Sequence, residues 1–476
     1  MMSVIDLQAI AKVTNSQFSG KNSQVKNISI DSRKVQLGDV FIAIKGNRND
    51  GHCFVDVAIQ RGAVAVMVEK EQAVNVPQLI VKNTRQALGD IAKLNREAFN
   101  GKVVAITGSS GKTTCKNMLK AILSTVGHVC ATEGNFNNEI GLPLTVQRIT
   151  DSHDFAVLEM GAAKLGDIAS LTDVAQPLIS AVTNIGAAHI AGFGCLENTA
   201  STKSAIYNAL PHDGWAIVNL DDNFSHLFLE RVKAQKKNDR LLTCSLHSSE
   251  ANIFATDIQQ NDSGLQFTIN INTRSEKNLI PIELHFLGLH NIYNALLAAA
   301  MAKSLGLHDD NIAVGLSAVF PERGRLSSIQ AANNLTVIDD SYNANPASVK
   351  AAIDVLATLS KQLQKPSILV VGDMAELGDE AIEHHHHVGR YAAEQGINSL
   401  YAIGVYANDV LSAYGQYNSG QLKEFKSKPV LIECLLSSEC AGGVVLIKGS
   451  RSAAMDQVVD LLSINKNDSS REKSAC

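Results

Sequence analysis

The feature that most constrains this chain is a glycine-rich turn between an apolar run and a helical stretch. The run KVVAIT covers residues 102–107, the turn reads TGSSGKTT (107–114), and KNMLKAILSTVG follows. Glycines let backbone N–H groups face a phosphate, and the helix N-terminus adds partial positive charge. The pattern predicts a phosphate-binding loop in which Lys112 reaches the outer phosphates and the hydroxyl of Thr113 faces Mg²⁺. The loop residues are Gly108, Ser109, Ser110, Gly111, Lys112, Thr113 and Thr114.

The glycine spacing of this loop is tighter than the general pattern G-x-x-x-x-G-K-[ST]. A strand-to-helix turn without a ligand therefore stays open as the alternative. Further apolar runs, FAVLEMG (155–161) and LISAVTNIG (178–186), end in polar or glycine residues. Strands and helices in alternation predict parallel βαβ units in a doubly wound sheet. The alternating polar stretch at 251–288 predicts antiparallel strands added to that sheet.

The fold class predicted for the whole chain is α/β with three domains, since 476 residues correspond to about three domains of ordinary size. Residues 1–85 hold the short runs DVFIAI and AVAVMV and predict a small α/β module. Residues 86–313 form the central domain. Four apolar runs within residues 314–463 predict a second, Rossmann-like sheet. Residues 464–476 are expected to be a disordered, solvated tail.

Composition narrows the class of protein. Lys and Arg number 42 against 47 Asp and Glu, and this balance argues against a protein that coats nucleic acid. No apolar run reaches the roughly 18 residues that span a bilayer, and the first residues do not resemble a secretory signal. The eight cysteines are scattered singly, which is typical of reduced thiols rather than disulfides or a zinc site. We therefore expect a soluble, cytoplasmic protein.

Two polar residues near the predicted carboxyl ends of strands are candidates for metal binding or catalysis. Glu159 ends the run in LEMG, where a carboxylate suits a hard cation. His189 follows the next strand in TNIGAAHI, and Lys203 opens a predicted helix in STKSAIY. The alternatives are a solvent-facing acid for Glu159 and an ordinary loop histidine for His189, and Lys203 taken alone is interpreted as a solvated lysine. The four histidines at 384–387 are interpreted as a polar helix start, because consecutive helical residues cannot all face one ion.

Several motifs occur in the order found in the Mur ligases of peptidoglycan synthesis. They are TGSSGKTT, GNFNNEIGLPLT, TNIGAAHI, TKSAIY, LGLHNIYNALLAA, GRL and DDSYNANPAS. The chain resembles this family over its whole length except the tail, and the tight phosphate loop is the form that the family uses. The resemblance implies an ATP-dependent ligase that forms a C–N bond through an acyl phosphate, with ATP and two Mg²⁺ ions.

The motifs also indicate a member of the family. DSRKVQLGDVFIAIKG resembles the uridine-binding module of the third and fourth amino-acid-adding ligases, and no DNPR motif of the diaminopimelate-adding ligase is present. GNFNNEIGLP, DDSYNANP and GDMAELG are similar to the member that adds D-alanyl-D-alanine to UDP-N-acetylmuramoyl-tripeptide, giving the pentapeptide, ADP and phosphate. The alternatives are a ligase adding lysine or diaminopimelate, a folyl-polyglutamate-type synthetase, and an ATP-binding homologue without catalysis. We expect a monomer.

The resemblance implies roles for individual residues. Lys203 matches a lysine that the family carries in carbamoylated form, which with His189 and Glu159 holds a second Mg²⁺. Catalytic roles fall on Lys112, Glu159, His189 and Lys203, and metal binding on Thr113, Glu159, His189 and Lys203. Nucleotide contacts beyond the loop are implied for Asn291, Asn294, Arg325 and Asp340, with Asp339 as the rival of Asp340.

The remaining candidates are polar loop residues that would bind the other substrates. The uridine nucleotide is assigned to Ser32, Arg33, Lys45, Asp50 and Gly51. The muramoyl-peptide is assigned to Asn135, Asn137 and Asn138, and the dipeptide to Asn343 and Asn345. For all of these, ordinary turn chemistry is the alternative.

Overall fold

A computed structural model describes residues 5–46, 49–187, 190–235, 238–273 and 276–463. Its strands form four sheets. In the order in which they begin along the chain, the sheets have two, five, nine and six strands. We call the five-, nine- and six-stranded sheets the N-terminal, central and C-terminal sheets. His189 and the tail 464–476 lie outside the described residues.

The N-terminal sheet is small and mostly parallel. Its strands run in the order β2-β7-β6-β5-β4, with only the β2–β7 pair antiparallel, and β1 pairs separately with β3. The strands β5 and β6 are buried along their whole length, as expected for parallel strands covered on both faces. The elements are β1 (Ile5–Asp6), α1 (Leu7–Val13), β2 (Gln17–Ser19), β3 (Gln24–Val25), β4 (Asn27–Ser29), β5 (Asp39–Ile42), α2 (Val55–Gln60), β6 (Ala65–Val68), β7 (Gln78–Ile80) and α3 (Thr84–Ala98).

The central sheet begins after α3. Its elements are β8 (Lys102–Thr107), α4 (Lys112–Leu123), β9 (Val129–Ala131), α5 (Gly141–Gln147), β10 (Phe155–Glu159), α6 (Asp167–Ala175), β11 (Ile179–Val182), α7 (Ile190–Phe193), α8 (Leu196–Ser204), β12 (Trp215–Asn219), α9 (Ser225–Ala234), β13 (Leu241–Ser245), β14 (Ile253–Gln260), β15 (Leu265–Asn272), β16 (Lys277–Leu284), α10 (His290–Ser304) and α11 (Asp309–Ser317). The expected domain boundaries 85/86 and 313/314 lie within α3 and α11.

The strand order of the central sheet is β16-β15-β14-β13-β12-β11-β8-β10-β9. The seven strands from β14 to β9 are parallel, so their carboxyl ends meet at one edge. The strands β15 and β16 add antiparallel pairs, which confirms the prediction for residues 251–288. Burial alternates along both strands because one face is covered by the core and the other is solvated.

The C-terminal sheet has six strands rather than the four predicted. Its order is β17-β18-β22-β19-β20-β21, with β17 antiparallel and the other strands parallel. Both missed strands are short, partly exposed edge strands without an apolar run. The elements are β17 (Ser327–Gln330), β18 (Thr336–Asp340), α12 (Pro346–Leu363), β19 (Ser367–Gly372), α13 (Ala381–Glu394), β20 (Ser399–Ile403), α14 (Ala407–Gly415), β21 (Gln421–Phe425), α15 (Lys428–Leu435) and β22 (Val444–Lys448).

The histidine run differs from its interpretation as a polar helix start. Helix α13 begins at Ala381, and His385 is buried inside the C-terminal sheet's core. Its Nε2 atom accepts a hydrogen bond from the backbone N–H of Met374 at 3.0 Å, and its ring stacks on Tyr406. His385 therefore pins the loop after β19 to the helix. The described part of the chain contains no helix with the length and apolar character needed to cross a membrane.

Candidate active site

The phosphate loop lies between the carboxyl end of β8 and the first turn of α4. Gly108 has φ +148° and Gly111 has φ +78°, in the region that favours glycine. A Cβ on Gly108 would stand 1.9 Å from the hydroxyl oxygen of Thr183, and one on Gly111 would stand 2.5 Å from Oδ1 of Asn294. The sequence needs glycine at both positions because the backbone turns sharply and neighbouring side chains approach it closely.

An asparagine that the sequence analysis did not single out holds this loop in shape. Asn184 follows β11, the strand beside β8, and its Oδ1 accepts a hydrogen bond from the N–H of Ser110 at 3.0 Å. Its Nδ2 donates to the carbonyl of Ser110 at 3.1 Å, and its own carbonyl accepts from the N–H of Ser109 at 2.9 Å. The sequence feature that could have identified Asn184 is its position shortly after an apolar strand.

Lys112 lies at the first position of α4. Its Nζ donates to the carbonyl of Gly108 at 2.7 Å, which folds the side chain back over the loop. Burial lowers the pKa of this ammonium, and the nearby carboxylate of Glu159 opposes that effect. The loop thus concentrates one lysine charge and the helix N-terminus at the same point.

Glu159 is the second group of the site and comes from the end of β10. The carboxyl group is buried, and its Oε2 accepts a hydrogen bond from the hydroxyl of Thr113 at 2.8 Å. Its Oε1 accepts from Nδ2 of Asn137 at 2.8 Å. Glu159 is therefore not the solvent-facing acid that the sequence analysis gave as the alternative. A carboxylate and a hydroxyl in contact form an oxygen donor pair of the kind that Mg²⁺ prefers.

Lys203 is buried near the end of α8, not at its start as predicted. Its Nζ lies 5.8 Å from the centre of the Phe193 ring, and none of the described residues accepts a hydrogen bond from it. Burial and the nearby charge of Lys112 lower the pKa of Lys203 to about 7, with Asp167 opposing them. The solvated-lysine alternative does not apply. His189, its expected partner, lies outside the described residues.

Loops from the C-terminal sheet close over the phosphate loop. Arg325 donates from Nη2 to the hydroxyl of Thr113 at 3.0 Å, and its guanidinium lies 4.1 Å from the centre of the Tyr342 ring. Asn345 donates from Nδ2 to the hydroxyl of Ser110 at 3.2 Å. Two predicted residues that are more than 200 positions from the loop in sequence thus contact it directly.

The two candidate aspartates at the end of β18, Asp339 and Asp340, have different surroundings. Asp340 faces the cavity and pairs with the buried Nζ of Lys448, which also donates to the carbonyl of Asn343 at 3.0 Å. Burial raises the pKa of Asp340, and the ammonium of Lys448 opposes that effect. Asp339 points away and accepts hydrogen bonds from the N–H groups of Gly324 and Ser341, which fixes the linker to β18. Lys448 was missed by the sequence analysis, although it ends an apolar strand.

The helix α10 carries the two asparagines of the HNxxN motif. Asn291 donates from Nδ2 to the carbonyl of Leu287 at 2.8 Å and accepts from Nδ2 of Asn294 at 3.0 Å. Both side chains are buried, and Asn294 lies against Gly111 of the phosphate loop. The pair therefore connects α10 to the first turn of α4.

One cavity of about 710 Å³ collects most of the predicted site. Its walls come from the central sheet on one side and from the C-terminal sheet on the other. The predicted residues that line it are Gly108, Ser109, Ser110, Gly111, Lys112, Thr113, Thr114, Asn135, Asn137, Asn138, Glu159, Lys203, Asn291, Asn294, Arg325, Asp340, Asn343 and Asn345. A cavity of this volume accommodates a nucleotide.

The candidates for the uridine nucleotide lie elsewhere, at the carboxyl ends of the parallel strands β4 and β5. Arg33 is exposed and forms a bidentate ion pair with Asp31. Ser32 is buried. Asp50 caps the 3₁₀ turn Gly51–Phe54 and contacts His52. Lys45 pairs with Asp50 through a backbone bridge, and a Cβ on Gly51 would meet the backbone of Ile44 at 2.6 Å. Within the described residues, none of these five lines the large cavity.

Three family models match consecutive stretches of the chain. The Mur ligase family catalytic domain matches residues 24–96, the Mur ligase middle domain matches 106–302, and the Mur ligase glutamate ligase domain matches 324–451. A relative from Escherichia coli K12, named UDP-N-acetylmuramoyl-tripeptide–D-alanyl-D-alanine ligase, is 40% identical over 97% of this chain and 99% of its own length. The chain belongs to the Mur ligase family.

Other relatives and solved structures of similar length resemble this Mur ligase. A protein of the same name from Bacillus subtilis is 32% identical over 94% of both chains. A crystal structure of MurF from Acinetobacter baumannii is 33% identical, with a TM-score of 0.87 over 97% of this chain and 99% of that chain. MurF from Thermotoga maritima in complex with ADP is 25% identical, with a TM-score of 0.79 over 93% and 98%. The three-domain α/β architecture expected from the sequence is confirmed by these matches.

Proposed function

We propose that this Mur ligase joins D-alanyl-D-alanine to UDP-N-acetylmuramoyl-tripeptide at the expense of ATP. The products are UDP-N-acetylmuramoyl-pentapeptide, ADP and phosphate. The observation that carries the proposal is the full-length match to ligases named for this reaction, over 97% and 94% of the chain. The proposal is also supported by the cavity, where a phosphate loop faces polar residues of a second sheet. We infer that the reaction takes place in the cytoplasm and that the enzyme acts as a monomer.

We assign ATP to the cavity between the central and C-terminal sheets. Backbone N–H groups of residues 108–114 would face the phosphates, and Lys112 would turn from the carbonyl of Gly108 to the outer phosphates. Arg325 stands within reach of the same phosphates, because its guanidinium already contacts Thr113. Asn291 and Asn294 would contact the nucleotide from α10, and Asp340 its ribose.

The chemistry proposed for this site begins with two anions. The terminal carboxylate of the tripeptide attacks the γ-phosphorus of ATP, the bond to the bridging oxygen breaks, and ADP leaves. The dipeptide amine then attacks the acyl phosphate, loses a proton, and phosphate departs with its electron pair. Lys112, Arg325 and the N-terminus of α4 would lower the repulsion between the anions. Preorganised groups of this kind are each worth about 3–4 kcal/mol of the barrier.

The residues of the site fit a bound magnesium ion. Thr113 and Glu159 supply oxygen atoms in mutual contact, and both line the cavity. Bound Mg²⁺ would neutralise phosphate charge during transfer. We propose a second ion held by Glu159, His189 and a carbamoylated Lys203. This is supported by the isolation of the Lys203 amine, because carbamoylation needs a neutral amine and yields an anionic oxygen donor.

The other two substrates are assigned to loops around the cavity and to the N-terminal sheet. Asn135, Asn137 and Asn138 would contact the muramoyl-peptide, since all three line the cavity and Asn137 donates a hydrogen bond to Glu159. Asn343 and Asn345 would contact the dipeptide. The uridine nucleotide would bind near Ser32, Arg33, Lys45, Asp50 and Gly51. We propose that residues 1–85, 86–313 and 314–463 act as three domains, one for each substrate.

Phosphate release from ATP tests this assignment. The assay uses purified protein with UDP-N-acetylmuramoyl-tripeptide, with and without D-alanyl-D-alanine, beside a Lys112→Ala variant. A Lys120→Ala variant is the matched control, since Lys120 is an exposed lysine of the same helix. We expect release that needs both substrates, disappears in Lys112→Ala and persists in Lys120→Ala. Release with a single amino acid and a shorter muramoyl-peptide would instead assign the chain to a sister ligase.

A further inference from the structure

Helix α4 carries a second lysine that the proposed reaction does not use. Lys116 lies one turn after Lys112, and its side chain is only 3% exposed. It does not line the large cavity in the described part of the chain. Burying an ammonium group costs free energy unless the group is bonded and paired, so its position calls for a physical reason.

The ammonium of Lys116 is bonded to the residue that holds Glu159 in place. Its Nζ donates to the carbonyl of Thr132 at 2.7 Å. The hydroxyl oxygen of Thr132 accepts a hydrogen bond from the backbone N–H of Glu159 at 2.9 Å. The backbone N–H of Thr132 donates to the carbonyl of Val157. Lys116, Thr132 and Glu159 therefore form one chain of hydrogen bonds from α4 to the end of β10.

The topology explains why this segment needs support. Thr132 follows β9, a three-residue strand at the edge of the central sheet that pairs only with β10. The strand pairing ends at Ala131, and beyond it the bond from the N–H of Thr132 to the carbonyl of Val157 continues the contact with β10 by one residue. The bond from Lys116 also ties the backbone at Thr132 to α4, the helix that carries Thr113. The distance between Glu159 and Thr113 thus depends on both attachments.

Charge supports the same arrangement. Burial lowers the pKa of Lys116, and the carboxylates of Glu159 and Glu322 oppose this effect, while Arg325 and Lys120 add to it. Among the described residues, no carboxylate lies within 4.0 Å of its Nζ as an ion pair. The charge of Lys116 therefore lies near Glu159 without a carboxylate in direct contact with it.

We propose that Lys116 is a positioning residue that fixes Glu159, through Thr132, in the orientation that binds the metal ion of the nucleotide. This inference rests on the proposed function, which makes Glu159 a metal ligand. Removing a residue that orients a metal ligand through hydrogen bonds typically weakens metal binding 10–100-fold. The same change in Mn²⁺ affinity is expected here, together with a lower kcat.

The test measures Mn²⁺ binding to the enzyme–ADP complex by electron paramagnetic resonance, with no turnover involved. Lys116→Met keeps the length of the side chain without its charge, Thr132→Val removes the hydroxyl, and Thr132→Ser keeps it. We expect Mn²⁺ affinity to fall at least tenfold in Lys116→Met and Thr132→Val. Thr132→Ser and the control Lys120→Ala should bind Mn²⁺ like the unaltered enzyme, and all variants should keep their affinity for the UDP-substrate.

Unchanged Mn²⁺ affinity in Lys116→Met, with only a lower midpoint of thermal unfolding, would overturn the proposal and leave Lys116 a structural lysine. Equal affinities of Thr132→Val and Thr132→Ser would overturn it as well. If Lys116→Met does not fold, the two threonine variants decide. A different outcome would contradict the proposed function itself: the unaltered enzyme would bind Mn²⁺ and ADP but would release no phosphate with the dipeptide.

Discussion

At the scale of single residues, Lys203 has a buried amine for which the described residues provide no hydrogen-bond acceptor. It lies against the Phe193 ring, close enough to Lys112 for the two positive charges to interact unfavourably. The free enzyme therefore carries a destabilised lysine at its site. Residues held in such conditions trade stability for function, because the same isolation that costs free energy makes the amine reactive.

We predict that Lys203→Met raises the free energy of unfolding while abolishing phosphate release. The gain should exceed about 1 kcal/mol, since each unit of pKa shift corresponds to about 1.4 kcal/mol. Urea denaturation in bicarbonate-free buffer measures it. Lys120→Met is the control, because an exposed lysine of α4 should give no gain. Equal stability of Lys203→Met and the unaltered enzyme would contradict the burial of a costly charge.

The same gain should depend on pH. In the folded state the pKa of Lys203 is lowered from 10.5 to about 7, so between these values the unfolded chain binds a proton that the folded chain does not. The stability of the unaltered enzyme relative to Lys203→Met therefore rises with pH across this window. The advantage of Lys203→Met should be largest near pH 6–7 and smaller at pH 9. An advantage that is constant from pH 6 to pH 9 would count against the shift.

At the scale of elements, α12 begins with a capping box that also touches the phosphate loop. Oδ1 of Asn345 accepts from the N–H of Ser348 at 2.9 Å, and the hydroxyl of Ser348 accepts from the N–H of Asn345 at 3.0 Å. Pro346 occupies the first helical position, where its missing N–H costs nothing. Nδ2 of Asn345 remains available for Ser110.

We predict that Asn345→Ala and Ser348→Ala have similar effects on stability but different effects on the KM for ATP. Each should lower the free energy of unfolding by about 1 kcal/mol, because each removes part of the helix cap. Only Asn345→Ala should raise the KM for ATP, by about 3–10-fold, since it also removes the bond to Ser110. Denaturation curves and initial rates provide both measurements. Equal KM values for ATP in the two variants would show that the bond from Asn345 to Ser110 does not affect ATP binding.

At the scale of the whole molecule, the central and C-terminal sheets are joined by polar contacts and by Leu287, which is buried in the hydrophobic core beside α12. The polar contacts include Arg325 with Thr113, Asn345 with Ser110, and Asn117 with Glu322 at 2.7 Å. Interfaces between domains of one chain commonly permit relative motion. Three substrates divided among three units must be brought together for the reaction, and closing motions of this type are common in ligand-binding enzymes.

We predict that small-angle scattering detects compaction when an ATP analogue and UDP-N-acetylmuramoyl-tripeptide bind together. The radius of gyration should fall relative to the free enzyme. Arg325→Ala should compact less, because it lacks the contact that joins the linker to the phosphate loop. A radius of gyration that stays constant with both ligands bound would contradict closure.

Much of the fold follows from local patterns that the sequence carries on its own. Apolar runs ending in polar residues marked β8, β10 and β11, and the alternation at 251–288 marked the antiparallel pair β15–β16. The glycines of the phosphate loop were recognisable because their positive φ angles are those that glycine adopts most readily, so the turn is visible in the local sequence. The short polar edge strands β17 and β21 were missed, since they lack any apolar run.

The sequence by itself determined which elements form and which polar residues end the strands. The tertiary structure alone decided which of these residues meet, because β11 lies beside β8 although β9 and β10 stand between them in the chain. That order brings Asn184 to Ser110, and the packing of the C-terminal sheet brings Arg325 to Thr113. Lys116 looks like an ordinary helical lysine in the sequence, and only its burial distinguishes it. Burial depends on long-range packing, which no local pattern specifies.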